Sequence, residues 1–159
     1  MRYRSQIVAY WYFAVAVCLF GLQLIMGLLM ATKYLGPDPL IHWLSFDVAK
    51  AMHTNLLIVW VLAGFMGGTY YVVTEESRTE IYSDRLAYFQ LIAWTLIGVT
   101  AIVGYFFGWN AGIKMLEQPY PLKLVIVIVM GLFFFNIFMT IRQAGRWTVT
   151  EGVLIAGLV

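Results

Sequence analysis

Charge is scarce in this sequence: Asp, Glu, Lys and Arg make up 11% of its 159 residues, where a soluble domain carries roughly 25%. Too few charges remain to cover a globule in water, which excludes an ordinary soluble core. Cysteine is nearly absent. Cys18 is the only one, so an internal disulfide and a thiolate metal site are excluded. Val17 precedes it where a lipid-modified cysteine would want a small residue, so Cys18 reads as a small lipid- or helix-facing side chain. The net charge is only +2 and no basic cluster exceeds two residues, so nucleic acid is not an expected partner. The long apolar stretches contain no Asp or Glu, and the chain has neither a phosphate loop nor an H-E-x-x-H pair. These absences exclude hydrolase and nucleotide chemistry.

What is abundant is apolar sequence, at 62% of residues. A membrane-spanning helix needs roughly 20 mostly apolar residues, and four stretches meet this, at about 8–34, 51–73, 86–109 and 122–141. Turn and breaker residues separate them. Leu35-Gly36-Pro37-Asp38-Pro39 follows the first, leading into a Trp43/Phe46 stretch expected at the interface. Glu75-Glu76-Ser77-Arg78-Thr79-Glu80 follows the second. Asn110-Ala111-Gly112 and Glu117-Gln118-Pro119-Tyr120-Pro121 follow the third. The basic start Met1-Arg2-Tyr3-Arg4 precedes an apolar run far longer than the roughly 7–15 residues of a signal peptide, so the run reads as an uncleaved first span. A fifth apolar segment opens after Gly145-Arg146-Trp147, from about 150. Gly152 to Val159 covers about 12 Å as a helix, against a hydrocarbon core of roughly 30 Å. The expectation is one part of a longer polypeptide; a short tail dipping into the interface is the alternative. The fold class is therefore an all-α, polytopic membrane bundle, a single domain over 1–159.

Arg2, Arg4, Arg78, Arg85, Arg142 and Arg146 fall on the N-terminal side, Lys33, Lys50, Lys114 and Lys123 on the other. The excess of six over four orients the N-terminus to the cytoplasm. Gly64/Gly68, Gly104/Gly108 and Gly27/Ala31 carry the small-xxx-small spacing that lets helix backbones approach. Polar side chains expected at membrane depth are Gln23, Thr54, Asn55, Gln90, Thr95, Thr100, Asn136 and Thr140.

Of the two histidines, His42 lies in a loop beside Trp43 and reads as interfacial. His53 falls in the first turn of the second span, where an ionisable side chain marks a functional site by default. Neutral imidazole is also an axial ligand of b-type haem. At helical spacing His53 shares a face with Leu57, Trp60, Gly64, Gly67 and Tyr71, a wall that would suit a flat macrocycle. An equally open reading is a histidine at headgroup depth, bonded to a backbone carbonyl or water.

The run His53-Thr54-Asn55-Leu56-Leu57-Ile58-Val59-Trp60, with Gly64-Phe65-Met66-Gly67, Tyr70-Tyr71 and Glu75-Glu76-Ser77, resembles the N-terminal part of the large subunit of bacterial nitric oxide reductase. Leu35-Gly36-Pro37, Leu116-Glu117-Gln118-Pro119, Phe135-Asn136 and Met139-Thr140 carry the same resemblance, which covers the whole chain. It is closest to the cytochrome c-dependent type, since no long soluble extension precedes the first span.

The resemblance implies a twelve-helix member of the haem-copper oxidase superfamily in a bacterial inner membrane. It implies that His53 is an axial ligand of a low-spin haem b, for which Leu57 and Trp60 on its helical face would be the haem wall. Haem b3 and a non-haem iron would be held by later spans, leaving no catalytic residue in this chain. The implied partners are membrane lipid, the remaining spans, a c-type cytochrome small subunit and a periplasmic donor cytochrome c. Glu117 matches the second of two family glutamates linked to calcium and the propionate region. Lys114 stands at the first, which makes calcium there doubtful, and Thr74 replaces a common proline. Alternatives are a small b-type cytochrome anchor, a cofactor-free helical subunit, or another superfamily member such as an oxygen reductase or nitric oxide dismutase.

Overall fold

A computed structural model describes residues 3–38, 40, 42–113, 115–145 and 148–158. The described residues form helices and connecting loops, with no strand among them. The order is α1 (Ser5–Thr32), α2 (Phe46–Ser77), α3 (Asp84–Phe106), α4 (Tyr120–Ala144) and α5 (Val149–Leu158). The first four are long and apolar enough to cross a membrane, so the chain is a multi-pass membrane protein.

Helix ends explain where these ranges depart from the apolar runs. Ser45 Oγ accepts from Val48 N at 3.4 Å, and Asp47 sits in the first turn, so α2 begins at Phe46 rather than near 51. His53 therefore lies in the third turn of α2, not the first. The other end of α2 absorbs Glu75, Glu76 and Ser77 and stops at Arg78, whose φ is +52°. Thr74 lies inside this helix, its hydroxyl donating back to the carbonyls of Tyr70 and Tyr71. Ser83 caps α3 through Leu86 N at 3.2 Å. That helix ends at Phe106, because Gly108 takes φ +74° and Trp109 N turns back to Gly104 O at 2.9 Å. Pro119 and Pro121 open α4, where a missing N–H costs nothing.

α1 has no local side-chain cap. Glu80, from the loop between α2 and α3, supplies one instead. Its carboxylate accepts from Arg4 N at 2.8 Å, Ser5 N at 2.9 Å and Ser5 Oγ at 2.6 Å. At the opposite end Lys33 Nζ meets Asp38 Oδ2 at 2.6 Å and Leu44 O at 2.5 Å, tying the end of α1 to the approach to α2. These contacts make α1 and α2 an antiparallel pair, the most extensive in the molecule.

The close approach in that pair uses Gly67, not the Gly64/Gly68 spacing. A Cβ on Gly67 would lie 2.9 Å from Tyr12 Cβ and 3.2 Å from Ala9 O, whereas Gly64 and Gly68 have neighbours only at 3.9 and 4.0 Å. Gly104 is likewise covered by Trp109, which follows the end of its own helix: a Cβ on Gly104 would lie 2.9 Å from the indole.

Two apolar cores lie along the bundle. One is built on Tyr12, Met66, Tyr70, Trp94, Phe133 and Ile137, with the Tyr70 and Phe133 rings edge to face at 5.3 Å. The other, toward the opposite end, joins Met26, Leu44, Met52, Leu56, Ala101 and Tyr105. Beside the first core, Tyr70 Oη donates to Gln90 Oε1 at 2.6 Å and Gln90 Nε2 to Val129 O at 3.2 Å. Asn136 exchanges two bonds with the backbone of Ser83, accepting from its N–H at 3.1 Å and donating to its carbonyl at 3.0 Å. α2, α3 and α4 are thus locked together by hydrogen-bonded polar groups, the arrangement hydrocarbon demands.

Candidate functional site

His53 is carried on α2 where that helix crosses α1, and its ring is half-buried. Nδ1 lies 3.0 Å from the backbone carbonyl of Gln23. A carbonyl only accepts, so Nδ1 carries the proton, and in the neutral ring Nε2 keeps its lone pair. Nε2 has no hydrogen-bond partner among the described residues. The ring rests against Gly27: a Cβ there would come within 2.8 Å of His53 Cε1 and 3.1 Å of Nδ1. Gly27 thus serves clearance for an imidazole rather than helix contact through the Gly27/Ala31 spacing.

Gln23 is used twice. Its backbone holds His53, and its side-chain Oε1 accepts from Trp60 Nε1 at 2.9 Å. Trp60 in turn packs on Phe20, with ring centroids 4.9 Å apart. His53, Leu57 and Trp60 therefore lie along one edge of the α1–α2 pair, with Leu57 exposed. The wall expected from helical spacing does not continue beyond them. Gly64 and Gly67 face α1, and Tyr71 is exposed further along. Sequence reasoning missed Gln23 as the anchor of the site, although a lone amide in an apolar run was the available signal. His42 is exposed in its loop.

Glu117 lies in the loop between α3 and α4. Its carboxylate accepts from Asn55 Nδ2, and Asn55 Oδ1 accepts from Gln118 Nε2. Asn55 is two residues from His53, so the polar loop is held directly behind the histidine's turn. Lys114 lies outside the described residues. No group of three or more His, Cys, Asp or Glu side chains that could hold a metal occurs among the described residues. Calcium takes six to eight oxygens, toward which Glu117 offers its carboxylate.

On the N-terminal face, burial resists ionisation of Glu80. The hydrogen bonds from Ser5 and Arg4 outweigh that resistance and hold the carboxyl below its usual range.

Among the described residues, His53 is an in-span histidine whose Nδ1 is held by a carbonyl and whose Nε2 has no partner, an arrangement able to ligate a metal ion or a haem iron. The chain belongs to the cytochrome c and quinol oxidase polypeptide I family, the haem-copper oxidase family, whose family model matches residues 7–156. Among curated relatives it is similar to the B subunit of nitric oxide reductase from Stutzerimonas stutzeri, with 40% identity over the whole chain and 36% of the relative's length. It is also similar, at 25% identity over 69% of the chain and 23% of the relative, to the CcoN1 subunit of a cbb3-type cytochrome c oxidase from the same organism. The chain thus spans about a third or less of the length of these relatives.

Proposed function

We propose that this chain is the N-terminal membrane part of a nitric oxide reductase large subunit, and that His53 is one axial ligand of its low-spin haem b. The complete assembly would catalyse 2 NO + 2 e⁻ + 2 H⁺ → N₂O + H₂O. The observation that carries the reading is the state of His53: Nδ1 is held by the Gln23 carbonyl at 3.0 Å and Nε2 has no partner among the described residues. A carbonyl bond at Nδ1 orients metal-bound imidazoles and raises their basicity. The 40% identity to a nitric oxide reductase subunit favours that substrate.

The residues present fit a haem. Gly27 leaves space that a side chain would take from the imidazole, and Leu57 and Trp60 supply apolar and aromatic surface on the same edge. When bound, the haem supplies a one-electron carrier. The chain's own contributions are orientation and exclusion. Gln23 fixes the imidazole's tautomer and the Trp60 indole together, while Phe20, Leu57 and Trp60 keep water from the ligated nitrogen. Glu117 is proposed to face the propionate region. Haem b3 and the non-haem iron are assigned to the remaining spans, since this sequence has no second histidine within a span. A c-type cytochrome small subunit, a periplasmic donor cytochrome c and membrane lipid complete the proposed partners. The membrane is a bacterial inner membrane, with the N-terminus cytoplasmic.

A second reading, an oxygen reductase of the same superfamily, is favoured by the likeness to a cbb3-type oxidase subunit. The test is a reduced pyridine haemochrome spectrum of the purified assembly, with nitric oxide and oxygen consumption measured on the same sample. Two b haems per large subunit and preferential consumption of nitric oxide are expected. His53→Ala should remove one of the two b haems. An unchanged haem content in folded His53→Ala protein would end the ligand assignment, and oxygen as the faster substrate would favour the second reading.

A further inference from the structure

A cavity of about 30 Å³ lies between α2, α3 and the loop leading into α4. Much of its lining is apolar, including Leu56, Trp94 and Ile97; Asn55, Tyr105 and Gln118 bring polar groups to it. Tyr105 and Gln118 are 2% and 5% exposed. Tyr105 Oη and Gln118 Oε1 are buried and have no partner among the described residues. Elsewhere in this bundle Tyr70, Gln90 and Asn136 are buried and hydrogen-bonded, and among the described residues Asp84 Oδ1, at the start of α3, is the other buried side-chain oxygen without a partner.

The chemistry on the cavity side follows from the bonds behind it. Asn55 Nδ2 donates to Ala51 O at 2.8 Å and to the Glu117 carboxylate. A backbone carbonyl cannot donate, so the Asn55 amide cannot be reversed, and Asn55 Oδ1 is left to accept from Gln118 Nε2. Gln118 must therefore present its oxygen, not its amine, to the cavity. That oxygen needs a donor, and the Tyr105 hydroxyl needs either a donor or an acceptor.

We infer that this cavity is a binding site for an ordered water that donates to Gln118 Oε1 and accepts from Tyr105 Oη. The volume exceeds the roughly 10–15 Å³ that one water requires, and the two unpartnered polar groups on its lining meet the lower limit for holding it. Both groups are buried, so neither can turn to bulk solvent instead. The water completes a run of hydrogen bonds, Tyr105–water–Gln118–Asn55–Glu117, that crosses from α3 through the loop to α2. Tyr105 then acts as a positioning residue: through the water it fixes the Gln118 amide, which fixes Asn55 as a donor to Glu117.

The test is a structure of the intact assembly at a resolution that shows ordered water. Density within about 2.6–3.2 Å of both Tyr105 Oη and Gln118 Oε1 is expected, and Tyr105→Phe should remove it. An empty cavity, a direct Tyr105–Gln118 bond, or a side chain from another span filling the space would overturn the inference. A thermal-melting cycle tests it without that resolution. If water couples the two groups, Tyr105→Phe with Gln118→Leu lowers the melting temperature by clearly less than the sum of the single losses. Strictly additive losses would refute the coupling.

Discussion

The two ends of the bundle solve the same problem differently. At the end nearest the N-terminus, Tyr70, Gln90, Asn136 and the Ser83 backbone satisfy one another, with one Asp84 oxygen beside them left unpartnered among the described residues. At the opposite end, His53 keeps a nitrogen without a partner among the described residues, and the Asn55–Gln118 pair reaches its carboxylate with polar valence to spare. Polar groups in hydrocarbon are retained only where something uses them. A closed network is used by the fold, whereas an open one is left for a ligand.

Substitutions that treat the two ends unequally sharpen this contrast. The largest loss of stability is expected for Asn136→Ala, which strips the Ser83 N–H and carbonyl of their side-chain partner. About 1–3 kcal/mol of unfolding free energy should go, read by thermal melting, while haem per folded molecule stays unchanged. Loss of haem in step with Asn136→Ala would show that the closed end also serves the site. Gly27→Ala should do the reverse. Helix propensity gains about 1 kcal/mol, offsetting the crowding, so melting moves little. The imidazole must shift away from a methyl group at 2.8 Å, and the haem absorption and its potential should change. An unaltered spectrum would remove Gly27 from the site.

The smallest effect concerns Glu80. A carboxyl whose folded pKa lies below its unfolded value of roughly 4.3 contributes stability above that value. The contribution is lost as pH falls through the lowered folded pKa. Because Glu80 is exposed, the gain is small, about 0.5 kcal/mol after screening. Glu80→Gln should therefore melt slightly earlier at neutral pH and match the parent protein at the acid end. Equal melting at both pH values would show that the cap adds nothing.

Much of the architecture is legible in the sequence because a span is a local property: roughly 20 apolar residues bounded by turns announce themselves. His53 is legible for the complementary reason, an ionisable group where none belongs. What escaped was settled between helices. Nothing near residue 5 shows that its cap is Glu80, 75 positions away. Gly64 and Gly68 have the familiar spacing, yet Gly67 makes the contact, because the choice depends on the rotation of α2 against α1. The wall beyond Trp60 failed for the same reason: helical spacing places Gly64 and Gly67 beside His53 without saying that α1 already covers them. Gln23 could be flagged as polar, but its double use needed the geometry of two helices.

The Glu80 contact also bears on how the protein is made. α1 is translated long before the loop that caps it, so its first turn stays open until residue 80 has emerged. By then α2 is complete, and Glu80 can reach Arg4 and Ser5 only if α1 and α2 lie antiparallel with both of those ends on one side of the membrane. The cap is therefore available only to a first hairpin whose two helices have been inserted in that arrangement.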